Sequence, residues 1–391
     1  MKLALIGFGN AGSKITDKLL EFERETGRTL TSAALAVNSA KVDLERLEYV
    51  PDENRVLIGQ TDHRSKGHGA GGDPDLGAEI ADQDAHEIER ALDRVPIYAI
   101  DAFLIVAGLG GGTGSGGAPV LAETLRETYN EPVYGLGVLP STEEGGRPAL
   151  NAARSLQSFA DATENLILFD NDAWRQSGDT VEAGYESTNE ELAKRVATLL
   201  SAGEIDGSQV SENAMDSSDI RRTLATGGLS VIGYAEAERR AADRTGLLDR
   251  LRGSSPADTD GTDSATKISS LVQKSVQSRL TCPSTVSSAE RSLAVVSGPP
   301  EVLSRKGVES GRRWLEAETD SNEVLAGDDP RRARDVISVA VLLSNVTDIQ
   351  RVKELQQQAV DAKEQITAAE QRRDEEIQDL ITDDEGELDP V

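Results

Sequence analysis

Seven glycines in ten residues, "GLGGGTGSGG" from Gly108 to Gly117, follow directly on the apolar stretch "AFLIVA", Ala102 to Ala107. Glycine tolerates positive φ and lets another backbone or a ligand come close. Successive glycine N–H groups can wrap an anion, and a helix starting behind them adds positive potential. "APVLAETLRETY" comes next, with Pro119 early and Leu121 and Leu125 at helical spacing, so a helix is expected to start there. Strand, glycine cradle, helix is the layout of a phosphate site. The bland alternative is a flexible linker, but linkers rarely join a buried-type strand to an immediate helix.

Two further loops have the same layout. After the strand "KLALIG" comes "GFGNAGSK", Gly7 to Lys14, which fits the G-x-G-x-x-G dinucleotide pattern. It is also one transposition from a P-loop, with Ser13-Lys14 in place of Lys-Ser. A nicotinamide reading needs an acid at the end of the second strand, where this chain has Asn38 and Ala40. After the strand "RVLIG" comes "GHGAGGDPDLG", Gly67 to Gly77. Three glycine loops, each following a strand, point to one extended polyphosphate ligand.

Composition narrows the partners. The chain has 391 residues, enough for two ordinary domains. Its apolar runs fall short of a membrane span, and its start passes straight into a glycine loop without a signal-peptide pattern. The single cysteine, Cys282, excludes an internal disulfide and a cysteine zinc cage, and His63, His68 and His86 lack metal-ligand spacing, so no protein metal site is expected. The net charge is −28, from 69 acids against 41 bases, only 11 of them lysine. Such a chain repels nucleic acid and anionic lipid. Strong acidity with little lysine suits a highly saline cytoplasm, where ions screen like charges over a few ångströms.

The first half alternates strands and helices, as a mostly parallel sheet covered on both faces does. The expected organisation is a nucleotide-binding domain over residues 1–186 and a long connecting helix over 187–204. A smaller α/β domain over 205–346, a C-terminal helix over 347–381 and an acidic tail over 382–391 complete it. Residues 252–264, "RGSSPADTDGTDS", read as a loop. A single helix is expected near residues 77–92. In the C-terminal helix Val352, Leu355, Ala359, Ala362, Ile366 and Ala369 alternate by three and four, as a heptad does.

At this point a resemblance emerges. "GGGTGSG", Gly110 to Gly116, resembles the signature of the tubulin/FtsZ superfamily, and "GAGGDPDLG", Gly69 to Gly77, resembles the FtsZ phosphate loop. "EEGG" at Glu143 to Gly146, "FDND" at Phe169 to Asp172 and "YESTNEEL" at Tyr185 to Leu192 follow in the family's order. The match spans residues 1 to about 360 and is most similar to CetZ, the tubulin-like branch of haloarchaea. The resemblance implies an α/β fold: a Rossmann-like parallel-sheet GTPase domain, a long central helix and a second, smaller α/β domain. It also implies a GTP-binding, GTP-hydrolysing cytoskeletal protein that polymerises head-to-tail, uses GTP/GDP with Mg²⁺ and controls cell shape.

The resemblance also implies roles for residues. Gly9, Asn10, Ala11, Gly12, Ser13 and Lys14 would meet the α- and β-phosphates, and Ala70, Gly71 and Gly72 the γ-phosphate. Gly110, Gly111, Gly112, Thr113, Gly114, Ser115 and Gly116 would wrap the phosphates from the other side. Glu144 would accept from the ribose hydroxyls, Asn171 and Asn189 would read guanine, and Tyr185 would stack on the base. Asp216 and Asp219, in "MDSSDI", would enter the next subunit's pocket and orient the attacking water. The segment Glu238–Ala265 falls where tubulin carries its lateral-contact loop, and the acidic tail is available to a cytoskeletal or envelope-associated partner. The chain departs from FtsZ at Ala40, where FtsZ has an acid, and at Pro148, where FtsZ has an arginine; Arg147 is adjacent. Two other readings stand beside this one: a nicotinamide-dependent oxidoreductase built on G-x-G-x-x-G, and a nucleotide-binding scaffold without hydrolysis.

Overall fold

The computed structural model describes residues 1–174, 181–204, 215–238, 259–331 and 336–383. The chain runs β1 (Leu3–Phe8), α1 (Gly9–Thr26), β2 (Thr31–Asn38), α2 (Lys41–Glu45), β3 (Arg55–Leu57), α3 (Pro74–Gln83) and α4 (Ala85–Leu92). It continues β4 (Ala102–Gly108), α5 (Thr113–Thr128), β5 (Val133–Leu139), α6 (Gly146–Ala162), β6 (Asn165–Asp170), α7 (Asn171–Trp174) and α8 (Val181–Leu200). Then come α9 (Ser217–Leu224), β7 (Leu229–Glu238), α10 (Thr259–Gln277), β8 (Ala289–Gly298), α11 (Arg305–Thr319), β9 (Glu323–Pro330), β10 (Val336–Val346) and α12 (Gln350–Asp383).

The strands form one sheet in the order β3-β2-β1-β4-β5-β6-β7-β10-β8-β9. From β3 to β6 every pairing is parallel. All residues of β1 and β5 are buried, as strands covered by helices on both faces must be. The two halves meet at a short seam, where β6 pairs with β7 only through Leu166↔Leu229 and Ile167↔Ser230. Beyond it β10 runs antiparallel to β7 and β8, and β8 parallel to β9.

The helix α8 secures that seam. Its Leu192, Val196, Leu199 and Leu200 pack in one cluster with Ile15 and Leu19 of α1 and with Leu293, Val295 and Leu342 of the second half. At its end Arg28 is buried; its Nη1 donates to Ser201 Oγ (2.7 Å) and Asp329 Oδ2 (3.1 Å), and its Nη2 to Ser297 Oγ (3.0 Å).

Several local expectations change. The helix read over residues 77–92 is two, broken at Asp84, whose carboxylate accepts from the Gly59 amide at 2.6 Å. The connecting helix starts earlier, at Val181, and ends at Leu200. α5 starts inside the glycine run, at Thr113, instead of near Pro119. The segment read as a loop enters α10 at Thr259, and its residues 252–258 lie outside the described residues. In α12 the heptad splits: Leu355, Ala359 and Ala362 are buried, while Ile366 is 37% exposed. α12 extends to Asp383, and tail residues 384–391 lie outside the described residues.

Candidate functional site

The carboxyl ends of the parallel strands open into a cleft of about 440 Å³. In an open α/β sheet this edge is where ligands bind. Most of the expected residues line it. The start of α1 contributes Gly9, Asn10, Ala11 and Lys14, the turn after β4 with the first residues of α5 contributes Gly110, Gly111, Gly112, Thr113 and Gly114, and the far side holds Glu144, Asn171, Tyr185 and Asn189.

Other expected residues lie behind the lining, where they set how closely the loops pack. A Cβ on Gly12 would fall 2.0 Å from the Val106 carbonyl oxygen, so only glycine lets α1 lie this close to β4. A Cβ on Gly116 would fall 1.9 Å from the Pro74 carbonyl oxygen. Ser13 is buried with Oγ 3.4 Å from the Gly7 carbonyl oxygen, and Ser115 Oγ donates to the Gly112 carbonyl at 3.1 Å. Ala70 is buried, and Gly71 (φ +60°) and Gly72 (φ +73°) turn the third loop through left-handed backbone with open space around them.

Asn151, on the buried face of α6, escaped the sequence reading. Its Nδ2 donates to the carbonyls of Gly72 (2.9 Å), Gly110 (3.1 Å) and Gly111 (3.3 Å), pinning two phosphate-type loops together. A lone amide within a helical pattern carries no signal of this. Asn38, Asp43 and His68 also line the cleft. Asp43, three residues beyond Ala40, puts a carboxylate in the cleft, and Asn38 Nδ2 lies 3.4 Å from its Oδ2. Arg147 is exposed and outside the lining, while Pro148 packs against Gly110.

The far wall is a hydrogen-bonded turn. Glu144 Oε1 accepts from the Ser141 amide (2.8 Å) and the Tyr185 hydroxyl (3.0 Å). Asp172 Oδ1 accepts from Ser141 Oγ (2.9 Å), the Thr142 amide (3.1 Å) and Thr142 Oγ1 (2.9 Å). Burial alone would raise the Asp172 pKa; the bonds from Ser141 and Thr142 outweigh it and hold the carboxyl below its ordinary range.

Asp216 and Asp219 are elsewhere. Asp216 caps α9, accepting from the amides of Ser218 (2.7 Å) and Asp219 (3.1 Å), and the Asp219 carboxylate faces the Asp216 amide at 3.4 Å, a reciprocal capping box. The bond from the Ser218 side chain, aided by the amides of Asp219 and Ser218, outweighs the opposing effect of burial and holds the Asp216 pKa below its ordinary value. α9 lies at the amino edge of the sheet: Ser218, Arg221 and Arg222 share a hollow with Pro132, Tyr134 and Glu164, at the starts of β5 and β6. Strands of this length put about 20 Å between the two edges. The carboxylate pair therefore cannot serve the cleft of its own chain.

Residues 2–179 match the family model described as tubulin/FtsZ family, GTPase domain, and residues 178–361 that of tubulin-like CetZ, C-terminal domain. The tubulin-like protein CetZ1 of Haloferax volcanii is 52% identical over 372 residues, covering 94% of this chain and 93% of its own. The CetZ of Thermococcus kodakarensis is 30% identical over 388 residues, covering 98% and 92%. The GDP-bound monomer of Haloferax volcanii CetZ1 superposes with a TM-score of 0.82 at 48% identity, covering 93% of this chain and all of that one. The GTPγS-bound protofilament of CetZ2 from the same organism gives 0.81 at 39%, covering 94% of this chain and 100% of that one. With its glycine loops converging on one cleft and both halves matched, the chain belongs to the tubulin/FtsZ family of GTPases, in its tubulin-like CetZ branch.

Proposed function

We propose that copies of this chain stack head to tail, each binding GTP in its carboxyl-edge cleft and each hydrolysing its neighbour's GTP with Asp216 and Asp219. The observation that carries this is the placement of cleft and carboxylate pair at opposite edges of one sheet. A heterologous contact that joins those edges completes the site and generates an open filament. That the similar CetZ2 of Haloferax volcanii forms a GTPγS-bound protofilament supports assembly of this chain into filaments.

Within the cleft, the backbone N–H groups of residues 9–11, in the open first turn of α1, and of residues 110–114 wrap the phosphates, with Lys14 supplying a cation. Glu144 accepts from the ribose, Asn171 and Asn189 present amides to guanine, and Tyr185 stacks on it. Mg²⁺ takes most of its ligands from phosphate and water and one or two from carboxylates; Asp43 is a carboxylate in the cleft suited to that. Bound there, Mg²⁺ would balance phosphate charge; Asp216 and Asp219 polarise and orient the attacking water. Hydrolysis then weakens the subunit contact, which makes the filament dynamic and suits it to cell-shape control. The acidic C-terminus remains for a cytoskeletal or envelope-associated partner.

The test uses a substitution that keeps the helix cap. Asn caps a helix about as well as Asp, so Asp216→Asn should fold and bind GTP normally. Its turnover should fall at least about a hundredfold, the scale for losing a general-base or water-orienting group. Filaments should persist, and wild-type turnover per subunit should rise with protein concentration. Normal hydrolysis by folded Asp216→Asn, or turnover independent of concentration, would favour a scaffold without shared catalysis.

A further inference from the structure

The C-terminal helix grips the nucleoside-facing wall of the cleft from behind. Arg351, in the first turn of α12, is 4% exposed. Its Nε donates to Asp170 Oδ1 at 3.0 Å and its Nη2 to the Pro140 carbonyl at 2.8 Å. Asp170 is the last residue of β6 and directly precedes Asn171. Pro140 follows β5 and directly precedes Ser141, whose amide holds Glu144 and whose hydroxyl holds Asp172. Pro140 and Asn171 themselves line the cleft. One buried guanidinium thus spans the two strand ends from which the ribose- and base-facing residues hang.

Stability alone does not account for this pair. Two buried charges pay a desolvation cost that an apolar pair of similar size avoids, so such a pair is weak evidence for stabilisation. A guanidinium fork instead fixes the spacing of two acceptors by directed bonds. Neither acceptor belongs to the glycine cradle, which hangs from β1 and β4.

We propose that Arg351 is a positioning residue: by setting the separation of Pro140 and Asp170 it places Glu144 and Asn171 for the nucleoside. This rests on the GTP-binding reading above. The full chain is tested as wild type, Arg351→Met and Arg351→Lys, with GDP affinity by titration calorimetry and with GTP turnover split into KM and kcat. The Met variant, folded by circular dichroism, should lose at least about tenfold in GDP affinity. Its KM should rise to match, and its kcat at saturating GTP should stay within about threefold, the signature of lost uniform binding. Lys keeps the charge beside Asp170 but not the fork, and should recover part of the loss. Unchanged GDP affinity in the folded Met variant overturns the proposal, as does a fall in kcat as large as the rise in KM. If Met at this position prevents folding, Lys alone decides: its GDP affinity should fall at least about threefold, and unchanged affinity overturns the assignment. Wild-type protein that fails to bind GDP would instead remove the nucleotide reading itself.

Discussion

Gly111 and Gly116 belong to one glycine run yet answer to different constraints. A Cβ at Gly111 would meet nothing within 4 Å, and the residue lines the cleft. A Cβ at Gly116 would collide with the Pro74 carbonyl oxygen at 1.9 Å and the Ala78 nitrogen at 2.7 Å, both backbone atoms of α3 that cannot swing aside. Gly116→Ala should therefore destabilise the protein by about 1–3 kcal/mol or more through overpacking, seen as a lower urea midpoint at unchanged slope. Gly111→Ala should leave the midpoint within about 0.5 kcal/mol and weaken nucleotide binding. The reverse outcome would mean that the close approach of α5 to α3 is not what demands glycine here. The sequence shows that glycines crowd this loop; which of them face ligand and which face a neighbouring helix depends on residues far away in the chain.

The element α5 shows how tertiary packing supports a helix that local propensity disfavours. Glycine costs about 1 kcal/mol per helical position relative to alanine, and interior proline about 3. α5 nevertheless includes Gly114, Gly116, Gly117 and Pro119. Without an N–H, Pro119 leaves the Ser115 carbonyl without its i→i−4 partner. Ser155 of α6, itself buried, donates its hydroxyl to that carbonyl at 2.7 Å. Ser155→Ala should strand a buried acceptor and cost about 1–3 kcal/mol. In the double variant with Pro119→Ala, the restored N–H closes the helical bond and the Ser155 loss should largely vanish. Strictly additive losses in a double-mutant cycle would rule out this substitution of one donor for another. Pro119 reads in sequence as a helix start because its replacement donor lies 36 positions away, on another element.

At the scale of the whole molecule, the net charge of −28 governs association. Copies this acidic repel one another over a Debye length of roughly 30 Å at 0.01 M salt and about 3 Å at 1 M. A head-to-tail contact that joins the two edges of the sheet must form against that repulsion. Polymer mass measured by light scattering with GTP should therefore rise steeply from dilute buffer to molar potassium chloride. Full assembly at low ionic strength would mean that the contacting edges escape the general repulsion by local charge complementarity.

Strand identity and parallel order in the first half were legible because buried parallel strands are near-continuous apolar runs, and "KLALIG", "AFLIVA" and "VYGLGVL" read as nothing else. Two of the glycine loops were legible because each begins where a buried strand, β1 or β4, ends, which places both at the carboxyl edge whatever the helices do; the third, Gly67 to Gly77, starts ten residues past the end of β3, and tertiary packing brings His68 and Gly69 to the same cleft. Tyr185 and Asn189 were placed by family order, and their four-residue spacing on α8 brings both to one face. Tertiary structure alone decided the rest. It set Asp43 in the cleft beyond Ala40, hung Asn151 across two loops, and brought Arg351 behind Asn171. It also divided the acids between a ligand edge and an opposite edge. Short-range pattern encodes which element a residue joins, because apolar period and glycine content act within a few residues. Which side chains converge depends on the order of strands in the sheet and the crossing of helices over it, and those follow from long-range packing that no local stretch contains.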